Sequence, residues 1–221
     1  MNKLLLILVC FLFSCGNNSG KLPVKKQDAL GQAKLDTNRQ SAFNWSWERS
    51  GEKIILPLWV TRYISKGQEP MDTFSGDINI DGIQDIVLVT RTIGEDTMPF
   101  SREYLPRELL VFSGKRDGFQ KFLFKNTKAL PCRTCCGMSD PYGGMTAKKG
   151  QIIVNEYCGS NTKQVSEYRF GYDVKKRDWL LDTIVTESYA FYYEQYRLDT
   201  TTQKDFGLKS LRNFSLYNDE E

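Results

Sequence analysis

Asp77, Asn79, Asp81 and Asp85 place oxygen-bearing side chains at the first, third, fifth and ninth positions of one short stretch, with Gly82 at the sixth. A hard cation such as Ca²⁺ takes six to eight oxygen ligands at about 2.3–2.6 Å, and a tight loop of alternating carboxylates can wrap one. Residues two apart in such a chain point the same way, and Gly82 permits a sharp turn with φ > 0. The backbone carbonyl of Ile83, at the seventh position, adds a further oxygen. An EF-hand needs a bidentate acid at the twelfth position and helical flanks. Here Leu88 stands at that position, inside the β-branched run Ile86-Val87-Leu88-Val89-Thr90. The chemistry is therefore that of a calcium loop opening into a strand, and the competing reading is a polar hairpin turn that binds nothing.

The amino terminus sets the compartment. Met1-Asn2-Lys3 precedes an uncharged apolar run from Leu4 to Phe13, too short to span a bilayer and of signal-peptide length. Leu12-Phe13-Ser14-Cys15 resembles the bacterial lipobox, which implies cleavage before Cys15 and acylation of its thiol and new amine, with palmitate-type chains anchoring the protein to a membrane. Residues 1–14 then form the signal peptide. Residues 15–40, polar and poor in apolar side chains, form an acylated tether, and residues 41–221 a single β-rich domain. The location implied is the bacterial cell envelope, facing the periplasm or the exterior.

In that compartment Cys132, Cys135, Cys136 and Cys158 read as two disulfides, which allow three connectivities. Cys158 is expected to reach Cys132 or Cys136, with the other two paired locally; a vicinal Cys135–Cys136 bond is disfavoured. Cys132-Arg133-Thr134-Cys135 is a CxxC, but no strand–CxxC–helix pattern surrounds it. A four-cysteine zinc site is the other competing reading.

Other chemistry is thinly represented. The chain has no histidine, which removes Ser-His-Asp and Cys-His systems. Glu156, Glu167 and Asp182 leave a carboxylate-pair hydrolase as a formal alternative, without a spacing that sets two of them across a cleft. A net charge of +3, with lysines and arginines interleaved among acids, is no footprint for nucleic acid. Tyr189, Tyr192, Tyr193 and Tyr196 form an aromatic stretch that could meet a protein or glycan partner, as an inhibitor or immunity-type lipoprotein would; the plainer reading is a strand burying alternate aromatics.

The elements that carry these residues read as strands. Period-2 or β-branched patterning marks 43–48, 72–75, 84–92, 108–113, 119–125, 151–157, 164–172 and 179–188, with a weaker apolar alternation at 211–217. Lys53 to Trp59 reads as an edge strand or the start of a loop because of Pro57. Gly114 to Gly118, Gly159 to Thr162 and Asp173 to Asp178 read as tight turns. Short connections and little helical periodicity predict an all-β fold: mainly antiparallel meander, folded into two packed sheets.

The pattern Gly76-Asp77-Ile78-Asn79-Ile80-Asp81-Gly82-Ile83-Gln84-Asp85 resembles the FG-GAP/VCBS-type repeat of integrin-like β-propellers, and is similar to a group of single-copy bacterial lipoproteins that carry one such loop. Cys136-Gly137, Asp140-Pro141-Tyr142-Gly143-Gly144, Lys149-Gly150 and Gly159-Ser160 resemble the second half of the same group; Cys158 in place of a glycine and the lack of Trp after Ser160 depart from it. The resemblance spans about residues 70–190. It implies a propeller-blade-like hairpin with Ca²⁺ held by Asp77, Asn79, Asp81 and Asp85 in an extracytoplasmic protein, and it names no activity; the role expected of the chain is structural or binding and not enzymatic. The motif occurs once, so a closed propeller is not expected.

Overall fold

Two antiparallel meanders follow one another in the computed structural model, which describes residues 54, 56–98, 104–118, 120–136, 139–190 and 195–217. The first has β1 (Gln68–Gly76), β2 (Asp85–Thr92), β3 (Glu108–Gly114) and β4 (Gln120–Asn126), in that spatial order. The second has β5 (Tyr142–Lys148), β6 (Gln151–Gly159), β7 (Thr162–Asp173), β8 (Asp178–Ala190) and β9 (Gln195–Thr202), again in chain order. Neighbouring strands joined by short turns need no crossover, so the fold is all-β and its two sheets pack on one another.

One buried cluster joins the sheets. Val87, Val89, Leu109, Val111 and Phe124 from the first meet Met145, Ile152, Val154, Phe170, Trp179 and Leu181 from the second. Alternate residues of the first sheet point the other way, where Leu88, Leu110 and Phe112 pack beneath Val60, Trp59 and Tyr63. Those last three belong to a helical turn, α1 (Leu58–Thr61), and its continuation. Burial on both faces explains why Ile86–Val89 and Leu109–Phe112 are unbroken apolar runs, where a one-sided sheet would alternate.

The turns follow their residues. Ser160-Asn161 joins β6 to β7, and Lys149-Gly150 joins β5 to β6 with Gly150 at φ 69, a left-handed conformation open to glycine. Three expectations need correction. The 53–59 run ends in α1, with Pro57 as its N-cap, its carbonyl accepting the Val60 N–H at 2.9 Å. Residues 211–217 form no strand: a single bridge, Leu180 to Ser210, precedes a coil that buries Leu211 and Phe214 at the edge of the core. Asn126 holds that coil by donating to the carbonyls of Leu211 (2.6 Å) and Phe214 (2.9 Å). The Tyr189–Tyr196 stretch is not one strand but the end of β8 and the start of β9. Strand β5 was not foreseen, since Gly143-Gly144 interrupts its pattern; the glycines sit where its register with β6 shifts. The 43–48 strand, the signal peptide, the tether and Cys15 lie outside the described residues. Among the described residues no helix is long and apolar enough to cross a membrane.

Candidate metal centre

The carboxylate loop leaves β1 at Gly76, where a Cβ would sit 2.8 Å from the backbone carbonyl oxygen of Ala147. The first sheet thus touches β5 at a point that only glycine permits. The next residue bonds across the same junction: Gly150 N–H donates to the Asp77 carbonyl at 2.8 Å. Ile78 is fully buried in the shared core, and its carbonyl accepts the Trp179 indole N–H at 2.8 Å. One end of the loop is therefore fastened to the second sheet by backbone and side chain together.

The loop then coils on its own side chains. Asp81 N–H donates to Asp77 Oδ1 and to Asn79 Oδ1, both at 3.0 Å. Gly82 N–H donates to Asp77 Oδ2 (3.2 Å) and Ile83 N–H to Asp81 Oδ1 (2.8 Å). The Asn79 and Asp81 bonds are Asx turns, which short oxygen-bearing side chains make to an N–H two residues on; Asp77 reaches further, to N–H groups four and five residues on. Gly82 takes φ 81, the freedom expected of it, and Ile80 takes φ 61, a left-handed conformation that is an outlier for a β-branched residue. The Ile80 side chain lies against Gly150, where a Cβ would approach its Cδ1 to 2.8 Å.

Asp85 closes the loop from the far side. It is 1% exposed, and its Oδ2 accepts the N–H groups of Ile78 (3.0 Å) and Asn79 (3.2 Å) while Oδ1 accepts that of Gly114 (2.9 Å). Gly114 could not carry a side chain here, since a Cβ would fall 2.2 Å from the Gln84 carbonyl oxygen. Burial pushes the Asp85 carboxyl above the ordinary carboxylate range, the Gly114 N–H pulls it back, and the Asp81 charge raises it again. Asn79 ties the same region to β3 by donating to Asp81 Oδ2 (3.0 Å) and Ser113 Oγ (3.2 Å).

Asp77, Asn79 and Asp81 are thus gathered into one hydrogen-bonded turn with Ile83 beside them. Asp85 has a second duty that the sequence did not disclose, as a staple for three backbone donors. Among the described residues no group of three or more His, Cys, Asp or Glu side chains is arranged as a metal cluster. The loop's donor set is instead two carboxylates, an amide and backbone carbonyls, with Asp85 behind them. All are hard oxygen ligands, and each carboxylate oxygen of Asp77 keeps a lone pair beyond the one N–H it accepts, so the chemistry fits Ca²⁺ and does not fit a soft metal.

The remaining site residues divide clearly. Cys132 pairs with Cys135 and Cys136 with Cys158, at Cα separations of 5.3 and 5.5 Å. This is one of the two arrangements expected; the CxxC sits in a turn rather than at a helix start, and all four sulfurs are engaged with one another. Tyr189 and Tyr196 face each other across β8 and β9, 39% and 59% exposed. Tyr192 and Tyr193 lie outside the described residues. Glu156 and Glu167 are adjacent to Ser166 and Asn155 in the β6–β7 register and so point to opposite faces of the sheet.

Two buried polar networks went unseen in the sequence. Arg107, fully buried, donates to Glu95 and, through both terminal nitrogens, to Asp140 at 2.7 and 2.8 Å, and reaches the Pro131 carbonyl at 3.2 Å. It joins the β2–β3 excursion to the cysteine segment. Glu156 accepts from the phenols of Tyr217 (2.7 Å) and Tyr168 (3.0 Å). Their partners are 12 to 61 residues apart, so no local motif marks either. Comparison with known proteins finds no matching family model, no matching curated protein and no matching solved structure.

Proposed function

We propose that the chain is a membrane-anchored lipoprotein of the bacterial envelope, with a structural or binding role, whose β sandwich is locked by one Ca²⁺ at the Asp77–Asp85 loop. The observation that carries this reading is the position of the loop. It crowds three carboxylates at the junction of the two sheets, bonded to the β3 end through Gly114, to the β5–β6 turn through Gly150 and to β8 through Trp179. Like charges held this close repel, as the Asp81 influence on Asp85 indicates. A divalent cation bound by Asp77, Asn79, Asp81 and the Ile83 carbonyl relieves that repulsion and favours the folded junction over the unfolded chain. The lipobox-like Cys15 supports an anchor, and two disulfides suit an oxidising compartment.

Thermal melting tests it. Extracellular calcium modules bind at roughly 10⁻⁴–10⁻³ M, so 10 mM Ca²⁺ is about 10–100 times Kd and adds about 1.4–2.7 kcal/mol. For a domain of this size that raises Tm by about 3–10 °C relative to chelator. Asp81→Ala, an exposed position, should abolish the calcium response while leaving the chelated Tm nearly unchanged. Equal melting curves with and without Ca²⁺ reduce the loop to a turn.

A further inference from the structure

A sandwich of two open sheets has four edges, and each presents unpaired backbone groups to any strand that approaches. Three of the four are blunted in this fold by an extra residue on the edge strand itself. On β1 the register skips Met71, between Pro70 and Asp72; on β4 it skips Leu123; on β5 it shifts across Gly143 and Gly144. A bulge twists an edge and breaks its regular ladder. The fourth edge is β9, whose eight residues pair with β8 without a shift, from Thr183–Thr202 to Ala190–Gln195. Among the described residues β8 is its sole strand neighbour, and the one other hydrogen bond to its backbone is at its end, where the Thr202 N–H donates to Asp205 Oδ2 at 2.7 Å. Both faces of β9 reach solvent: Tyr196 and Leu198 are 59% and 54% exposed on one, and on the other the Arg197 and Asp199 side chains, ion-paired to each other along the strand at 2.5 Å, are 76% and 44% exposed.

We infer that β9 is a homodimerisation edge, pairing antiparallel with β9 of a second copy about a two-fold axis through Leu198. The register follows from geometry and charge. A two-fold antiparallel pair must be centred on a residue, since a centre between residues would set outward-facing backbone groups against inward-facing ones. Centring on Arg197 opposes two arginines, and centring on Asp199 opposes two aspartates; like charges directly opposite destabilise a sheet. Centring on Leu198 sets Arg197 opposite Asp199 of the second copy, twice by symmetry. It also places Leu198 on its own copy and Tyr196 opposite Thr200 of the second copy. This register alone sets Arg197 opposite Asp199, and the two five-stranded sheets would join into one of ten strands.

The test uses the full chain in detergent. Leu198→Cys, which meets itself on the axis, should cross-link to a covalent dimer under mild oxidation, and Arg197→Cys, two positions off its own copy, should do so far less. In sedimentation, Arg197→Asp and Asp199→Arg should each weaken the wild-type dimer by about tenfold or more, and the double exchange should restore it. Far-UV circular dichroism and melting, unchanged in these exposed variants, separate lost pairing from lost fold. A wild-type chain that stays monomeric at high micromolar concentration overturns the proposal. So does a dimer indifferent to the charge reversals, or one cross-linked equally well from positions 197 and 198.

Discussion

Replacing Asp85 should destabilise the protein more than any other change in the carboxylate loop, whether or not calcium is present. Asp85→Ala removes the acceptor for three backbone N–H groups, those of Ile78, Asn79 and Gly114. Two of these donors belong to buried residues, and Asn79 is half-buried. A buried donor left without a partner costs about 1–3 kcal/mol. The Ile78 N–H keeps the Gly76 carbonyl as an acceptor at 3.0 Å, so the donors stranded are those of Gly114 and Asn79. Allowing for water that reaches Asn79, and for the desolvation cost that the ionised carboxylate no longer carries, the loss should be about 2–4 kcal/mol. That is a large part of the 5–15 kcal/mol typical of a whole domain. Asp85→Asn keeps one acceptor oxygen but turns an amide N–H₂ toward a backbone donor, and should cost about 2–3 kcal/mol. Asp81→Ala, at an exposed residue that staples only the Ile83 N–H and the Asn79 amide, should cost about 1 kcal/mol or less in chelator. Urea unfolding in chelator measures all three against the wild type through the shift in midpoint at constant slope. If Asp85→Ala falls within 1 kcal/mol of Asp81→Ala, Asp85 is not the staple described and the loop is not a structural hub.

Further expectations concern the networks outside the loop. Arg107→Ala leaves Glu95, fully buried, without its counter-charge; urea unfolding should show a loss of about 3–5 kcal/mol, and Arg107→Met with Glu95→Leu a smaller one. Burial, followed by the Glu156 charge, raises the phenols of Tyr168 and Tyr217 above their ordinary value of 10.0. Unfolded tyrosines release protons above pH 10 that the folded ones keep, so stability is intact below pH 10 and falls as pH rises beyond it. Chemical unfolding across pH 9–11 should show this fall, shallower in Tyr217→Phe. Cys15→Ala should move the expressed protein from the membrane pellet to the soluble fraction after cell lysis; retention in the pellet would refute the lipid anchor.

What the sequence disclosed depended on how local the cause was. The strands β2, β3, β6, β7 and β8 are marked by their own residues, and the hairpin turns by Gly118, Ser160-Asn161 and Asp173, so an all-β meander in two sheets could be read directly. Cys158 was expected to reach Cys132 or Cys136; it pairs with Cys136, which leaves Cys132 for Cys135 and avoids a bond between the adjacent Cys135 and Cys136. Strand β5 was hidden because two glycines, which create its bulge, erase the alternation that marks a strand. Residues 211–217 alternate like a strand, but Asn126, 85 residues away, captures their carbonyls instead. Asp85 was legible as an oxygen ligand from its spacing. Its bond to Gly114 depends on the β2–β3 register, which no stretch of either strand discloses alone. Arg107 was hidden for the same reason: its burial depends on Glu95 and Asp140, which only the fold brings together.

The central claim is that the Asp77–Asp85 loop binds one calcium ion. Isothermal titration of the full chain with Ca²⁺, after chelator treatment and dialysis, addresses it most directly. The account predicts saturable binding near one equivalent, lost in Asp81→Ala. The absence of binding heat at millimolar Ca²⁺, or binding retained in Asp81→Ala, would contradict it.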